Sequence, residues 1–214
     1  MKVIYFDLDG PLLDVSEKYY RVYCDIISQN GFLPVSKFIY WELKRNKTPE
    51  KTILDLSGAE RIADLYSVKR KRCIEEDQYL NLDTLQDSAL DVLGQLKKEN
   101  YNIVLVTLRS SIIQLEKQLY RLGMHDYFSE IMSSGEETIP RWKIKYNLIA
   151  GKGNGHPFSQ RFFVGDTETD IIAANELGLH SVGVLNGIRN YQQIKNASPK
   201  HIITGIHEFI KLIN

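Results

Sequence analysis

The sequence predicts an α/β fold, a doubly wound parallel sheet with a small all-helical domain inserted after the first strand. Three observations lead there. Val3-Ile4-Tyr5-Phe6 is an unbroken apolar run rich in β-branched and aromatic residues, which reads as a strand buried on both faces. From residue 83 onwards, short apolar runs alternate with stretches of helical periodicity, the pattern of a parallel sheet with crossover helices. Between them, residues 15–82 carry helical periodicity and no strand signal, a block too long for a crossover connection. The chain therefore divides into a core, residues 1–14 and 83–214, and a helical insert, residues 15–82.

Each element has its own signal. After the first strand, Asp7 and Asp9 lie one residue apart, and Gly10 permits a sharp exit. Tyr19, Val22, Tyr23, Ile26 and Ile27 recur at helical spacing, and Gly31 stops them. A short helix spans residues 38–43. Thr48-Pro49-Glu50 reads as a helix start with Thr48 as cap, and Gly58 ends that helix. Ile62, Leu65 and Tyr66 open a helix running through Lys69-Arg70-Lys71-Arg72 towards Leu80. In the core, Ala89, Val92, Leu93 and Leu96 mark one helix face. Residues 101–106 form a strand ending at Thr107, residues 112–122 a helix closed by Gly123, and Ile131-Met132 a short strand. A helix over 142–149 leads into a polar, Gly-rich loop at 151–155. Strands at 162–164, 181–185 and 202–203 alternate with helices at 171–177 and 206–213.

Composition narrows the function classes. The 214 residues have a formal net charge of +0, so no overall polyanion-binding surface is expected and nucleic acid is not a predicted partner. Hydrophobic residues make up 43% and charged residues 25%, which fits a globular chain with a proper core. No apolar run is long enough to span a bilayer, and the chain starts directly on a core strand. Cys24 and Cys73 show no metal-type spacing and read as small apolar residues, consistent with a reduced, cytoplasmic setting. The five histidines follow no ligand spacing, and the Tyr19, Tyr20 and Tyr23 group reads as core of the helical insert.

In a parallel sheet the carboxyl ends of all strands lie on one edge. That edge collects Asp7, Asp9, Thr107, Asp166 and Asp170, with Lys143 and Lys145 at the start of the preceding helix. Clustered carboxylates repel and need a cation between them, and hard oxygen ligands suit Mg²⁺. A hydroxyl, a lysine and strand-end N–H groups suit a phosphate. An aspartate beside both can attack phosphorus and form an aspartyl-phosphate. A second acid two residues on can protonate the leaving oxygen and then take a proton from water.

On these residues the chain resembles the haloacid dehalogenase superfamily of phosphohydrolases with an inserted helical cap, phosphoglycolate phosphatases in particular. The first motif is Asp7-Leu8-Asp9-Gly10, the second Thr107 after Ile103-Val104-Leu105-Val106, and the fourth Gly165-Asp166-Thr167-Glu168-Thr169-Asp170. The resemblance implies a Rossmann-like core with Asp7 as nucleophile and Mg²⁺ ligand. It implies Asp9 as general acid/base and carbonyl ligand, and Asp166 and Asp170 as further metal residues. Thr107 and the N–H of Leu108 would hold the phosphoryl oxygens, with Gly10 beside them. The third motif is a lysine, and both Lys145 and Lys143 remain open: Lys145 matches the spacing to the apolar helix face, while Ile144 stands where the Lys143 version has proline. Pro11 departs from the Thr or Val of many members and removes one N–H.

The presence of Asp9 favours ester hydrolysis over carbon–halogen cleavage, since a halide needs no proton. A β-phosphoglucomutase-like phosphomutase is the nearest enzymatic alternative, and a non-enzymatic phospho-aspartate switch the alternative from another class. Substrate choice is expected to lie in the cap, where Lys44, Arg45 and Lys47 form one basic cluster and residues 69–72 another. Arg45, and Arg109 just past Thr107, are the candidates for holding a substrate anion. The expected partner is a small-molecule phosphate ester, and the expected state a monomer or homodimer.

Overall fold

The computed structural model describes residues 2–135, 138–151 and 161–213. Among the described residues six strands form one sheet: β1 (Val3–Phe6), β4 (Asn102–Thr107), β5 (Glu130–Ser133), β6 (Phe162–Gly165), β7 (His180–Val184) and β8 (His201–Ile203). Their spatial order is β5-β4-β1-β6-β7-β8, and every neighbouring pair is parallel. The order reverses between β1 and β6, which is where a doubly wound sheet opens a crevice at its carboxyl edge. Asp7 leaves β1 and Asp166 leaves β6, so both acids flank that switch point, and the Asp7 N–H still donates to the Val164 carbonyl at 2.9 Å.

Alternation along β1 explains the two layers. Ile4 and Phe6 face a cluster with Val92, Leu93 and Leu96 of α6 (Ala89–Lys98), Leu115 and Leu119 of α7 (Ile112–Arg121) and Phe209 of α11 (Phe209–Ile213). Val3 and Tyr5 face the other way, onto Ile149 of α8 (Arg141–Ala150) and Ala173, Ala174 and Leu177 on or just past α9 (Glu168–Glu176). Because successive strand side chains point to opposite faces, a strand covered on both sides must be apolar throughout. That is why the first run contains no polar residue.

The insert has its own core. Helices α1 (Ser16–Gln29), α2 (Lys37–Arg45), α3 (Glu50–Asp55), α4 (Ala63–Cys73) and α5 (Asp77–Leu80) gather Val22, Tyr23, Ile26, Ile27, Tyr40, Ile53, Leu54, Tyr66 and Tyr79. The Tyr23 and Tyr40 rings stack with centroids 4.6 Å apart. The chain enters and leaves this cap through two short strands, β2 (Leu13–Asp14) and β3 (Thr84–Leu85), which pair antiparallel.

Several local expectations change. Thr48 is not the cap of α3: Pro49 holds that place and no side chain caps the helix. The helix expected to reach Leu80 breaks after Cys73, and α5 restarts at Asp77. Leu65 is 42% exposed and outside the core. Cys24 and Cys73 are half-buried, and Cys73 Sγ donates to the Lys69 carbonyl as a helical hydroxyl would. The final helix is split, its first turn being a tighter 3₁₀ segment at Ile206–Glu208. Helix α10 (Tyr191–Asn196) has no counterpart in the sequence reading, because six residues with one buried apolar side chain, Ile194, show no period. Apart from Gly151, which caps α8, the Gly-rich loop at 151–155 lies outside the described residues.

Leu105 is fully buried in β4 beside β1, whereas Leu33 in the cap is 85% exposed. Leu105→Ala should cost about 2–5 kcal/mol of unfolding free energy. Leu33→Ala should stay within about 0.5 kcal/mol. Urea denaturation of the two variants checks the difference.

Candidate active site

The carboxyl edge of the sheet and the cap enclose a cavity of about 520 Å³. Asp7, Asp9, Thr107, Leu108, Arg109 and Lys145 line it from the core side. Beneath it, Asp166 and Asp170 are fully buried. One carboxylate oxygen from each of Asp7, Asp166 and Asp170 lies within 4.8 Å of the others.

Lys145 holds this group together. Its ammonium donates to Asp7 Oδ1 at 2.8 Å and to Asp170 Oδ1 at 2.6 Å, with its own side chain only 2% exposed. Burial works against a charged lysine, yet Asp170 and Asp7 outweigh it and raise the Lys145 pKa. Asp7 is pushed up to about 7 by burial, opposed by Lys145 and reinforced by Asp170 and Asp9. Asp166 is raised well above the usual range by burial, then by Asp170 and Asp7. Too little positive charge faces three buried acids.

A hard divalent cation fits this arrangement. All the donors are oxygens, and Asp166 Oδ1 is buried without a hydrogen-bond partner among the described residues. Asp166 Oδ2 already accepts the Ile188 N–H at 2.5 Å. Asp170 is committed on both oxygens: Oδ1 to Lys145, Oδ2 to the N–H and hydroxyl of Thr167 at 3.0 and 2.8 Å. The glycines explain how the acids come so close. A Cβ on Gly10, whose φ is +109°, would lie 2.0 Å from Asp166 Oδ2, and one on Gly187 would lie 2.1 Å from the same oxygen. Gly10 thus seats Asp166 and does not line the cavity.

Asp9 points away from the acid group. Its Oδ1 accepts from Arg109 at 2.6 Å and is 3.5 Å from Lys18 Nζ. Burial would raise its pKa, but Arg109 and then Lys18 override it and hold it at about 2. Behind it, buried Asp83 Oδ2 accepts from Lys18 at 2.7 Å, Gln118 at 2.8 Å and Arg109 at 3.3 Å. Lys18 stands in the first turn of the cap and Asp83 just before the return strand, so this network ties both cap linkers to Asp9.

The sequence model of the haloacid dehalogenase-like hydrolases matches residues 4–184. The chain belongs to that family. A phosphoglycolate phosphatase of Pseudomonas fluorescens is 24% identical, the match covering 98% of this chain and 78% of the relative. Among solved structures, a candidate phosphatase from Clostridium difficile superposes with a TM-score of 0.81 at 20% identity, covering 100% of this chain and 98% of that one. A predicted phosphoglycolate phosphatase from Haemophilus somnus gives 0.78 at 20% identity, covering 100% and 98%. These structures share the fold.

In this haloacid dehalogenase-like hydrolase the two candidate lysines separate. Lys145 is buried against Asp7, while Lys143 is exposed and does not line the cavity. Arg45 is not in the cavity either. Its guanidinium donates to the Leu185 and Gly187 carbonyls at 2.7 and 2.8 Å, docking the cap onto the core. Lys47 pairs with Glu168 at 2.8 Å, and Arg189 bridges Glu168 and the Lys44 carbonyl. Burial would raise Glu168, yet its bonds to Lys47 and Arg189 hold it at about 2. On the other flank, the Glu75 carboxylate of the cap accepts the N–H of Ser110 and Ser111 and the Ser110 hydroxyl at 2.9–3.1 Å. None of Lys18, Glu75, Asp83 or Glu168 is singled out by local sequence spacing, since each acts across the cap–core boundary. No helix among the described residues is long and apolar enough to cross a membrane.

Lys145→Met would leave Asp7 and Asp170 buried without their cation. It should destabilise the fold by about 3–5 kcal/mol, read as a lowered denaturation midpoint in metal-free buffer.

Proposed function

We propose that this hydrolase is an Mg²⁺-dependent phosphatase of the phosphoglycolate phosphatase-like kind. It would cleave a small phosphorylated metabolite through an aspartyl-phosphate on Asp7. One observation carries the reading: the Asp7 carboxylate lines the cavity, is fixed by Lys145 at 2.8 Å and has two further carboxylates close behind it. The phosphatase described in Pseudomonas fluorescens supports the reaction class.

Asp7 and Asp166 would hold the ion, together with the main-chain carbonyl of Asp9, and Asp170 would steady Lys145 behind them. Bound Mg²⁺ supplies positive charge to the phosphoryl oxygens. The Thr107 hydroxyl, the Leu108 N–H and Lys145 orient the phosphoryl group for in-line attack. A carboxylate oxygen of Asp7 forms a bond to phosphorus as the ester P–O bond breaks, and the departing oxygen takes a proton from Asp9. Water then attacks the aspartyl-phosphate while Asp9 takes its proton, releasing phosphate and restoring Asp7.

The electrostatics add a condition. Paired with Arg109, Asp9 is an acceptor with a pKa of about 2. It can carry a proton to the leaving group only when Arg109 is drawn off. An incoming phosphoryl group, itself an anion, competes for that guanidinium. Arg109 would then serve as substrate ligand and as gate on the proton donor.

The assay is Mg²⁺-dependent phosphate release from an aryl phosphate. Steady turnover supports the reading, whereas a single long-lived phosphoryl adduct would indicate a phospho-aspartate switch. Asp7→Asn should abolish turnover with an unchanged circular dichroism spectrum, and Asp9→Asn should lower kcat by about 10²–10⁴. In Arg109→Met the largest influence lowering the Asp9 pKa is gone and burial dominates, so that pKa rises. Protonated Asp9, the form that donates to the leaving oxygen, then persists to a higher pH, and the basic limb of the kcat/KM profile should move upward.

A further inference from the structure

Asp9 is held by more than Arg109. Lys18 is fully buried as the third residue of α1, with its ammonium 2.7 Å from Asp83 Oδ2 and 3.5 Å from Asp9 Oδ1. The placement is unfavourable on two counts. The N-terminal turn of a helix disfavours positive charge, and a buried ion pair is often no more stable than apolar side chains of similar volume. Packing alone does not call for a lysine here.

The pair is braced from both sides of the cap–core boundary. Asp83 Oδ2 also accepts from Gln118 Nε2 at 2.8 Å, and Gln118 donates to the Leu80 carbonyl at 3.1 Å. Arg121, on the same helix α7, reaches that carbonyl at 2.9 Å. Lys18 thus stands on an anchor fixed jointly by α7 of the core and the return leg of the cap. The two cations differ in their first allegiance. Arg109 has its shortest contact, 2.6 Å, with Asp9 itself, whereas the shortest contact of Lys18 is with Asp83. When a phosphoryl group takes Arg109, Lys18 keeps its place. Both cations meet the same oxygen of Asp9, Oδ1, on a side chain that lines the cavity.

We infer that Lys18, held by Asp83, is a positioning residue for Asp9. It pins Oδ1 while Arg109 engages the phosphoryl group, and so presents Oδ2 to the departing ester oxygen. The proton passes from Asp9 Oδ2 to that oxygen as the P–O bond breaks, and Lys18 neither gives nor takes one. The catalytic part of this rests on the phosphatase reading, whereas the pinning of the carboxylate does not.

Ester cleavage depends on a proton donor in proportion to how poor the leaving group is. With Mg²⁺ present, kcat/KM is measured for dinitrophenyl phosphate and for simple alkyl phosphates. Lys18→Met should lower it by about tenfold or more on the alkyl esters and by about twofold or less on the dinitrophenyl ester. In an Asp9→Asn background the same substitution should cost less than about twofold on either, because no proton donor is left to aim. Lys18→Met combined with Asp83→Asn removes one charge of each sign and keeps an amide oxygen for Gln118 and Arg109. This pair should show the same leaving-group dependence even if the single variant does not fold. An equal loss on both ester classes, or an undiminished loss in the Asp9→Asn background, is what a purely structural lysine gives and overturns the proposal. Crystals grown with Mg²⁺ and orthophosphate supply a readout that needs no turnover. In the paired variant the Asp9 carboxylate should leave its present rotamer, and an unmoved Asp9 overturns the pinning. A wild-type protein that cleaves none of these esters, with an Asp9 that moves in the paired variant, defeats the phosphatase reading and keeps the pinning. Cleavage with an unmoved Asp9 does the reverse.

Discussion

Keeping several carboxylates in one dry place is the constraint from which the rest of this structure follows. Lys145 is the only buried cation that touches both Asp7 and Asp170 among the described residues, and it leaves Asp166 unanswered. Isolated buried charges are costly, and paired ones are tolerated only with good geometry and further hydrogen bonds. The protein meets that demand with rigid parts. Helix α8 delivers the lysine, the first turn of α9 clamps Asp170 through Thr167, and two glycines without side chains make room for Asp166. The remaining imbalance is the feature that suits a divalent ion.

Much of this was legible in the chain itself. The apolar runs that end in acids placed Asp7 and Asp166 on one edge, because a central parallel strand has to be apolar on both faces and can become polar only where it ends. The helical insert was equally plain, as a long stretch of helical period with no alternation. What stayed hidden were contacts between segments far apart in sequence. Nothing near Lys18 announces that it will pair with Asp83, 65 residues away. Nothing near Glu75 signals a landing on the N–H groups of Ser110 and Ser111. Arg45 illustrates the opposite error. A basic side chain near a substrate cavity suggests anion binding, but carbonyl oxygens left exposed past β7 satisfy the guanidinium equally well.

The cap is tied down on two flanks by different chemistry. On one side Arg45, Lys47 and Arg189 meet main-chain carbonyls and Glu168. On the other, Glu75 occupies donors at the start of α7. Between the flanks, Lys18 and Asp83 connect the roots of the cap to Asp9. The roots of the cap and the charge state of the second aspartate therefore belong to one network of ion pairs, formed by Lys18, Asp83, Arg109 and Asp9.

The paired linkers β2 and β3 carry a consequence of another kind. Both crossings into the cap lie side by side, one ladder spacing apart, about 5 Å, and the insert beyond them has a hydrophobic core of its own. A module of different length or shape could be spliced at this doorway without rethreading the sheet. Recombination can thus replace the cap while the sheet and the acids at its edge are inherited unchanged.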